Sequence, residues 1–150
     1  RVGMMGEVAD AALATGGEVF GVIPEKLQAL ELGHTGCTEL FVVDSMHARK
    51  MMMAQLSDAF IALPGGWGTM DEIFEVTTWT QLNVHRKPVG LLNVDGYYDH
   101  LLAWIQRANA DGFIRDQHAE LLSAHDDPVA LLDILTTVEL PTLAKWLTKI

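Results

Sequence analysis

Residues 59–79, AFIALPGGWGTMDEIFEVTTW, decide the fold. The stretch opens on five apolar residues, Ala59-Phe60-Ile61-Ala62-Leu63, the length of a strand buried on both faces. Pro64 has no N–H to give to a ladder and ends it. Gly65, Gly66 and Gly68 follow, where the backbone turns sharply and something comes close to it. Thr69 and Asp71 suit the start of a helix, and Met70, Ile73, Phe74 and Thr77 then repeat at helical spacing. The expected unit is a buried strand, a glycine turn and a helix N-terminus. Such a terminus presents backbone N–H groups and the positive end of a dipole, which attract an anion, phosphate above all. Glu72, Glu75 and Trp79 share one face of that helix, so a carboxylate stands one turn from the expected phosphate site.

Neither common nucleotide loop fits. A Walker loop ends in Gly-Lys-Ser/Thr, and no Lys follows Gly68. A dinucleotide fingerprint needs a further Gly three residues after Gly68, where Asp71 stands. The competing reading is a tight strand-to-helix turn without a ligand, since such loops are common in α/β folds.

Composition narrows the partners. The 150 residues suffice for one domain with a core. With 10 basic and 20 acidic residues the formal charge is −10, and no basic cluster offsets it, so nucleic acid is not an expected partner. No apolar run reaches membrane-spanning length, so no membrane partner is expected. The only cysteine, Cys37, excludes an internal disulfide and an all-cysteine metal site. It reads as a small buried hydrophobe, consistent with a reducing, cytoplasmic setting. The chain opens at Arg1 on the glycine-rich run Gly3-Met4-Met5-Gly6, which suggests that a segment precedes it.

The remaining chain alternates helix and strand. Residues 4–15 read as a helix closed by Gly16-Gly17. Residues 18–23 read as a strand stopped by Pro24. Leu27, Leu30 and Glu31 suggest a short helix before a turn at Gly33. Residues 40–43 form the next strand, and Asp44-Ser45 caps a helix over 46–56. After Lys87-Pro88 comes a strand over 89–94, a turn at Asp95-Gly96 and a helix over 97–110 ending near Gly112. Residues 113–124 show no clear pattern. Asp127 at the N-cap and Pro128 at N1 start a helix with Leu131, Leu132 and Leu135 on one side. A last short helix is expected at 143–147, within a tail at 136–150. This order implies right-handed crossovers, a parallel sheet with helices on both faces, and a single domain over 1–150. Ligands of such sheets bind beyond the carboxyl ends of the strands, where residues 44–50 and 64–72 leave consecutively.

The first of these loops, Ser45-Met46-His47-Ala48-Arg49-Lys50, puts two cations in the first turns of a helix, where the dipole disfavours them. An anionic ligand or Glu72 would offset that cost; two solvated side chains are the plain alternative. Met51-Met52-Met53 spans most of the helix circumference and reads as core filling. His34, His47, His85, His100, His118 and His125 form no close metal pair, so neither a metal nor any other cofactor is expected. Ser45, Ser57 and Ser123 lack the setting of a nucleophile. His85-Arg86-Lys87 reads as a solvated charged turn.

Two of these segments carry a family resemblance. PGGWGTMDE at 64–72 matches PGGxGTxxE, and MHARK at 46–50 matches MHxRK. GMMGEVADAAL, GGEVFGVIP, TELFVVDSMHARK and KPVGLLNVDGYYD are similar to the same family. The chain to about residue 135 thus resembles the LOG (Lonely Guy) family, cytokinin riboside 5′-monophosphate phosphoribohydrolases, some labelled lysine decarboxylase. The resemblance implies a Rossmann-like fold and hydrolysis of the N-glycosidic bond of a nucleoside 5′-monophosphate, AMP or a cytokinin riboside monophosphate. The products would be a free adenine-type base and ribose 5-phosphate. It implies catalytic roles for Arg49 and Glu72, and substrate contacts at Lys50, Gly66, Gly68 and Thr69, with Trp67, Met70 and Asp71 in the same loop. Two further contacts fall on Glu31 and Thr78. It also implies a homodimer, which the apolar breadth of the 46–56 helix supports. The family pattern begins earlier, with a strand, a helix and a strand ending in a GGG turn, so the chain is expected to lack its N-terminal β-α-β.

The chemistry is coherent with those residues. Cleaving a ribosyl C–N bond builds oxocarbenium charge on the sugar. Glu72 can stabilise that charge or take a proton from the attacking water. Arg49 can hold Glu72 ionised, contact the phosphate or help the base depart. The alternative from another class is a non-catalytic nucleotide or molybdenum-cofactor carrier with a similar glycine loop. A pure binder need not keep Arg49 and Glu72 together. A decarboxylase would need a lysine Schiff base in a pyridoxal site, and nothing surrounds Lys26, Lys50, Lys87, Lys145 or Lys149 in that way.

Overall fold

Strands alternate with helices along the chain, and every strand pairing among the described residues is parallel. The computed structural model describes residues 3–29 and 33–141. It falls into two units, Arg1–Ser57 and Asp58–Ile150, each with its own paired strands.

The first unit runs α1 (Met4–Ala14), β1 (Phe20–Pro24), α2 (Glu25–Gln28), β2 (Glu39–Val43) and α3 (Met46–Leu56). β1 and β2 align from Phe20 opposite Glu39 to Pro24 opposite Val43. Pro24 ends the strand from inside it, a position open to proline because β1 is an edge of a two-stranded sheet. α2 follows at once, and Leu30, Glu31 and Leu32 lie outside the described residues. α3 has the expected bounds. Ser45 Oγ accepts the Ala48 N–H at 3.1 Å, satisfying one donor of the first turn. Ala54 is its buried residue, with Met52 and Met53 half-buried and Met51 exposed. The methionine run is therefore core filling only in part. Three successive residues point about 100° apart, and the two small strands beneath α3 cannot cover them all.

The second unit runs β3 (Phe60–Ala62), α4 (Trp67–Gln81), β4 (Val89–Leu92), a 3-10 turn (Val94–Gly96), α5 (Asp99–Ala110), α6 (Asp116–Ala119), β5 (Leu122–His125) and α7 (Pro128–Thr137). Its sheet has the order β3-β4-β5. The register puts Phe60, Val89 and Leu122 on one row and Ala62, Leu91 and Ala124 on another. Both rows face the core, where Ile73 and Val76 of α4 meet Tyr98. Gly90, one residue out of step, points to the other face. A Cβ there would press on Leu131 and Leu135 of α7 at 3.0 Å, so the missing side chain lets the helix lie close. This sheet is therefore covered on both faces, as alternating strands and helices require.

Several local expectations change. Ile61 shares the Gly90 face but stays 39% exposed, because α7 covers β4 and β5 and β3 lies at the edge. The strand expected at 59–63 is thus not buried on both faces. α4 buries Ile73, Val76 and Thr80, leaving Phe74 exposed against Trp104 in an edge-to-face contact at 6.0 Å. In α7, Leu131 is 0% exposed and Leu135 is buried, but Leu132 is 51% exposed, since it turns about 100° off the stripe they form. Residues 113–124 resolve into α6 and the start of β5, a strand whose half-buried sequence LSAH lacks an apolar run. The expected helix at 143–147 lies outside the described residues. Among the described residues no helix is long and apolar enough to cross a membrane.

Candidate active site

The glycine turn is built from two kinds of glycine. A Cβ on Gly65 would overlap Thr69 Oγ1, so glycine is required there for Thr69 to fold back over the loop. Gly66 and Gly68 differ: a Cβ on either would meet nothing within 4 Å, and neither has a positive φ. The fold does not demand glycine at these two positions. α4 starts at Trp67, two residues before Thr69. Gly66 is its N-cap, no side chain closes the first turn, and the Gly66 carbonyl accepts the Met70 N–H at 3.1 Å.

An open cavity of about 310 Å³ lies beside this start, lined by Gly65, Gly66, Trp67, Met70, Tyr97, Tyr98 and Leu101. Its volume is at the lower end of the range for small-ligand pockets. Trp67 is 92% exposed, an indole held out at the mouth with no partner requirement from the core. Met70 packs against the core, Thr69 is half-buried and Asp71 is exposed. Glu72 and Glu75 are both half-buried on α4, one turn apart. Thr78 sits two turns along on the exposed side, its hydroxyl donating to the Phe74 carbonyl at 2.6 Å. The loop residues 66–70 are thus gathered at one place, with Glu72 in the next turn and Thr78 further away.

In the first unit, Arg49 and Lys50 stand side by side near the start of α3, both half-buried. An Arg49 guanidinium nitrogen lies 3.9 Å from Met5 Sδ of α1. Neither cation is simply solvated. Glu31 lies outside the described residues.

Nothing in the sequence pattern singles out Tyr97 and Tyr98. Tyr97 OH donates to the Gly65 carbonyl at 2.7 Å, and Tyr98 OH donates to the Leu63 carbonyl at 2.5 Å. Burial, and Tyr97 beside it, push the Tyr98 phenol above its ordinary value, which keeps it a donor. The only local hint is the pair of aromatics after the Asp95-Gly96 turn. Their targets lie 32 and 35 residues away.

The turn after α4 also departs from expectation. His85 is not solvated: its ring lies 5.4 Å from Phe60 and 6.2 Å from Trp79. Its Nδ1 accepts the Lys87 N–H at 3.3 Å. Burial, and then the Lys87 charge, lower its pKa, so this ring is a neutral packing element.

Known proteins are similar to this chain in sequence. A family model described as possible lysine decarboxylase matches residues 5–135. The chain is 56% identical over 128 residues to a probable cytokinin riboside 5′-monophosphate phosphoribohydrolase of Oryza sativa subsp. japonica, covering 85% of this chain and 56% of that protein. It is 57% identical over 115 residues to a cytokinin riboside 5′-monophosphate phosphoribohydrolase of Rhodococcoides fascians, covering 76% and 58%. Against an Arabidopsis thaliana enzyme of the same name the identity is 52% over 114 residues, covering 76% and 50%. The chain spans about half the length of the curated relatives it matches.

Proposed function

The chain belongs to the LOG family, matched by the possible lysine decarboxylase model, and from that premise we propose that it hydrolyses a nucleoside 5′-monophosphate. The bond cleaved is the N-glycosidic bond of an adenine-type, cytokinin riboside monophosphate, giving free base and ribose 5-phosphate. The start of α4 carries this reading: two glycines that the fold does not need stand at an uncapped helix N-terminus beside a cavity. Gly68 is the second residue of α4, and a Cβ there would meet nothing within 4 Å, so packing does not require glycine at this position. Glycine there leaves room for close approach of a phosphate to the backbone N–H groups.

In this mechanism the loop at 66–69 binds the 5′-phosphate, and Trp67, Met70 and Asp71 border it. Glu72, one turn on, stabilises the oxocarbenium charge at the ribose or takes the proton of the attacking water. Arg49 supplies a second catalytic group, and Lys50, Glu31 and Thr78 supply further substrate contacts. A Rossmann-like architecture fits the parallel strands and the two-sided covering of the β3-β4-β5 sheet. A homodimer is part of the same reading, supported by Met46, Met51 and Leu56, all exposed on α3. So is a cytoplasmic setting, which suits the single thiol of Cys37.

The test is incubation with AMP, with isopentenyladenosine monophosphate and with the parent nucleosides. Free base and ribose 5-phosphate from the monophosphates, at much higher kcat/KM than from the nucleosides, are expected. Tight nucleotide binding without base release would make the protein a carrier instead. A monomeric mass by light scattering at micromolar concentration would remove the dimer.

A further inference from the structure

We propose that Tyr97 and Tyr98 are positioning residues that aim the backbone of the glycine loop at its anion. This rests on the phosphate reading of that loop. In a trans peptide the C=O and the following N–H point in opposite directions, and among the described residues no peptide bond is cis. Tyr97 OH holds the Gly65 carbonyl at 2.7 Å. The Gly66 N–H belongs to the same peptide plane, so it must point away from Tyr97. Among the described residues no carbonyl or side chain receives it. The bond therefore does two things. It turns a partial negative charge away from the side where an anion would bind, and by polarising the peptide it strengthens the N–H as a donor.

Tyr98 acts one step earlier. Its hydroxyl takes the Leu63 carbonyl, and the next residue is Pro64, which has no N–H. This contact holds the exit of β3 while the chain turns into the loop. Tyr98 itself is 2% exposed and rests in the core. Its ring meets Tyr97 edge-to-face at 5.0 Å. The pair is anchored from behind. Asn93 Oδ1 accepts the Tyr98 N–H at 2.7 Å, and its amide donates to Asp99 at 2.8 Å. Asp95 and Gly96 adopt φ of 51° and 71°, so the backbone turns tightly enough to present both phenols to one strand end. Two hydroxyls on neighbouring residues thus fix two carbonyls on either side of Pro64.

Tyr97→Phe is the decisive variant, because the phenol is half exposed and losing its oxygen leaves the ring packing intact. The affinity for AMP by calorimetry should fall about three- to tenfold, the worth of one net hydrogen bond. KM should rise by the same factor, with kcat within about twofold and the melting temperature unchanged. Tyr98→Phe, whose fold is secured by the buried ring, should show the same split. Unchanged affinity and KM in Tyr97→Phe, a loss confined to kcat, or a fall in melting temperature that accounts for the change would each overturn the proposal. If the wild-type protein binds AMP and releases base while Tyr97→Phe matches it, only this inference fails. If the wild type does neither, the phosphate reading fails and takes this inference with it.

Discussion

Two helices of the second unit begin in opposite ways. α7 starts closed: Asp127 Oδ1 accepts the Ala130 N–H at 2.8 Å, and Pro128 in the first turn removes a donor that would otherwise need a partner. α4 starts open: its cap is Gly66, which has no side chain to accept a first-turn N–H, and a second glycine follows in the first turn. α3 sides with α7, since Ser45 closes it. A side-chain cap is worth about 1 kcal/mol, which α4 forgoes with glycine at its cap. The same unit thus secures stability at one helix start and forgoes it at another. Local rules broken without a gain in folding mark a place kept for function.

The largest effect expected from breaking this contrast lies one turn into α4. Glu72→Gln should lower kcat by about 10²-fold or more with nucleotide binding largely kept, as for a group acting in the transition state. Glu75→Gln, on the same face, should do far less; the opposite ranking in steady-state kinetics would sink the assignment.

Next in size is Gly68→Ala, which fills the open space beside the loop. KM for the monophosphate should rise about tenfold while the melting temperature holds or rises, because alanine is the better helix former. An unchanged KM would mean that no ligand approaches there.

Asp127→Ala is the mirror experiment at the closed start. It should lower stability by about 1 kcal/mol in a urea titration and leave KM alone. A shift in KM, or no change in midpoint, would erase the distinction between the two starts.

The smallest effect sits at the far end of α4. The folded pKa of His85 lies below its ordinary value of 6.5, so the unfolded chain takes up the proton first. Its contribution is fully present above about pH 6.5 and fades as pH falls through that value towards the lower folded pKa. Melting temperatures of the wild type should therefore drop below pH 6.5 more steeply than those of His85→Phe; parallel curves would contradict this.

The elements legible in the sequence are those set by neighbours a few residues apart. The bounds of α3, the Asp127-Pro128 start of α7 and the glycine turn and helix start at residues 64–72 all rest on contacts within about one turn, and β3, though paired with β4, shows itself by its apolar run. The glycine-loop motif is legible for the same reason: Gly66, Gly68 and Glu72 are close in sequence. β5 is not legible, because LSAH becomes a strand only by pairing with β4 more than thirty residues earlier. Leu132 and Phe74 fit the buried stripes by spacing yet stay exposed, because a hydrophobic pattern cannot say which of two adjacent rows a sheet will cover.

By itself the sequence determined the alternation of strand and helix, the two capped helix starts and the two motifs at 46–50 and 64–72. Each follows from propensity, capping or spacing along a short stretch. Tertiary structure alone decided that Tyr97 and Tyr98 grip the loop, that His85 is a packed neutral ring, and that Ile61 stays exposed at an edge. Those outcomes depend on which surfaces meet across tens of residues, and hydrogen bonds or burial at that separation leave no periodic trace in the chain that makes them.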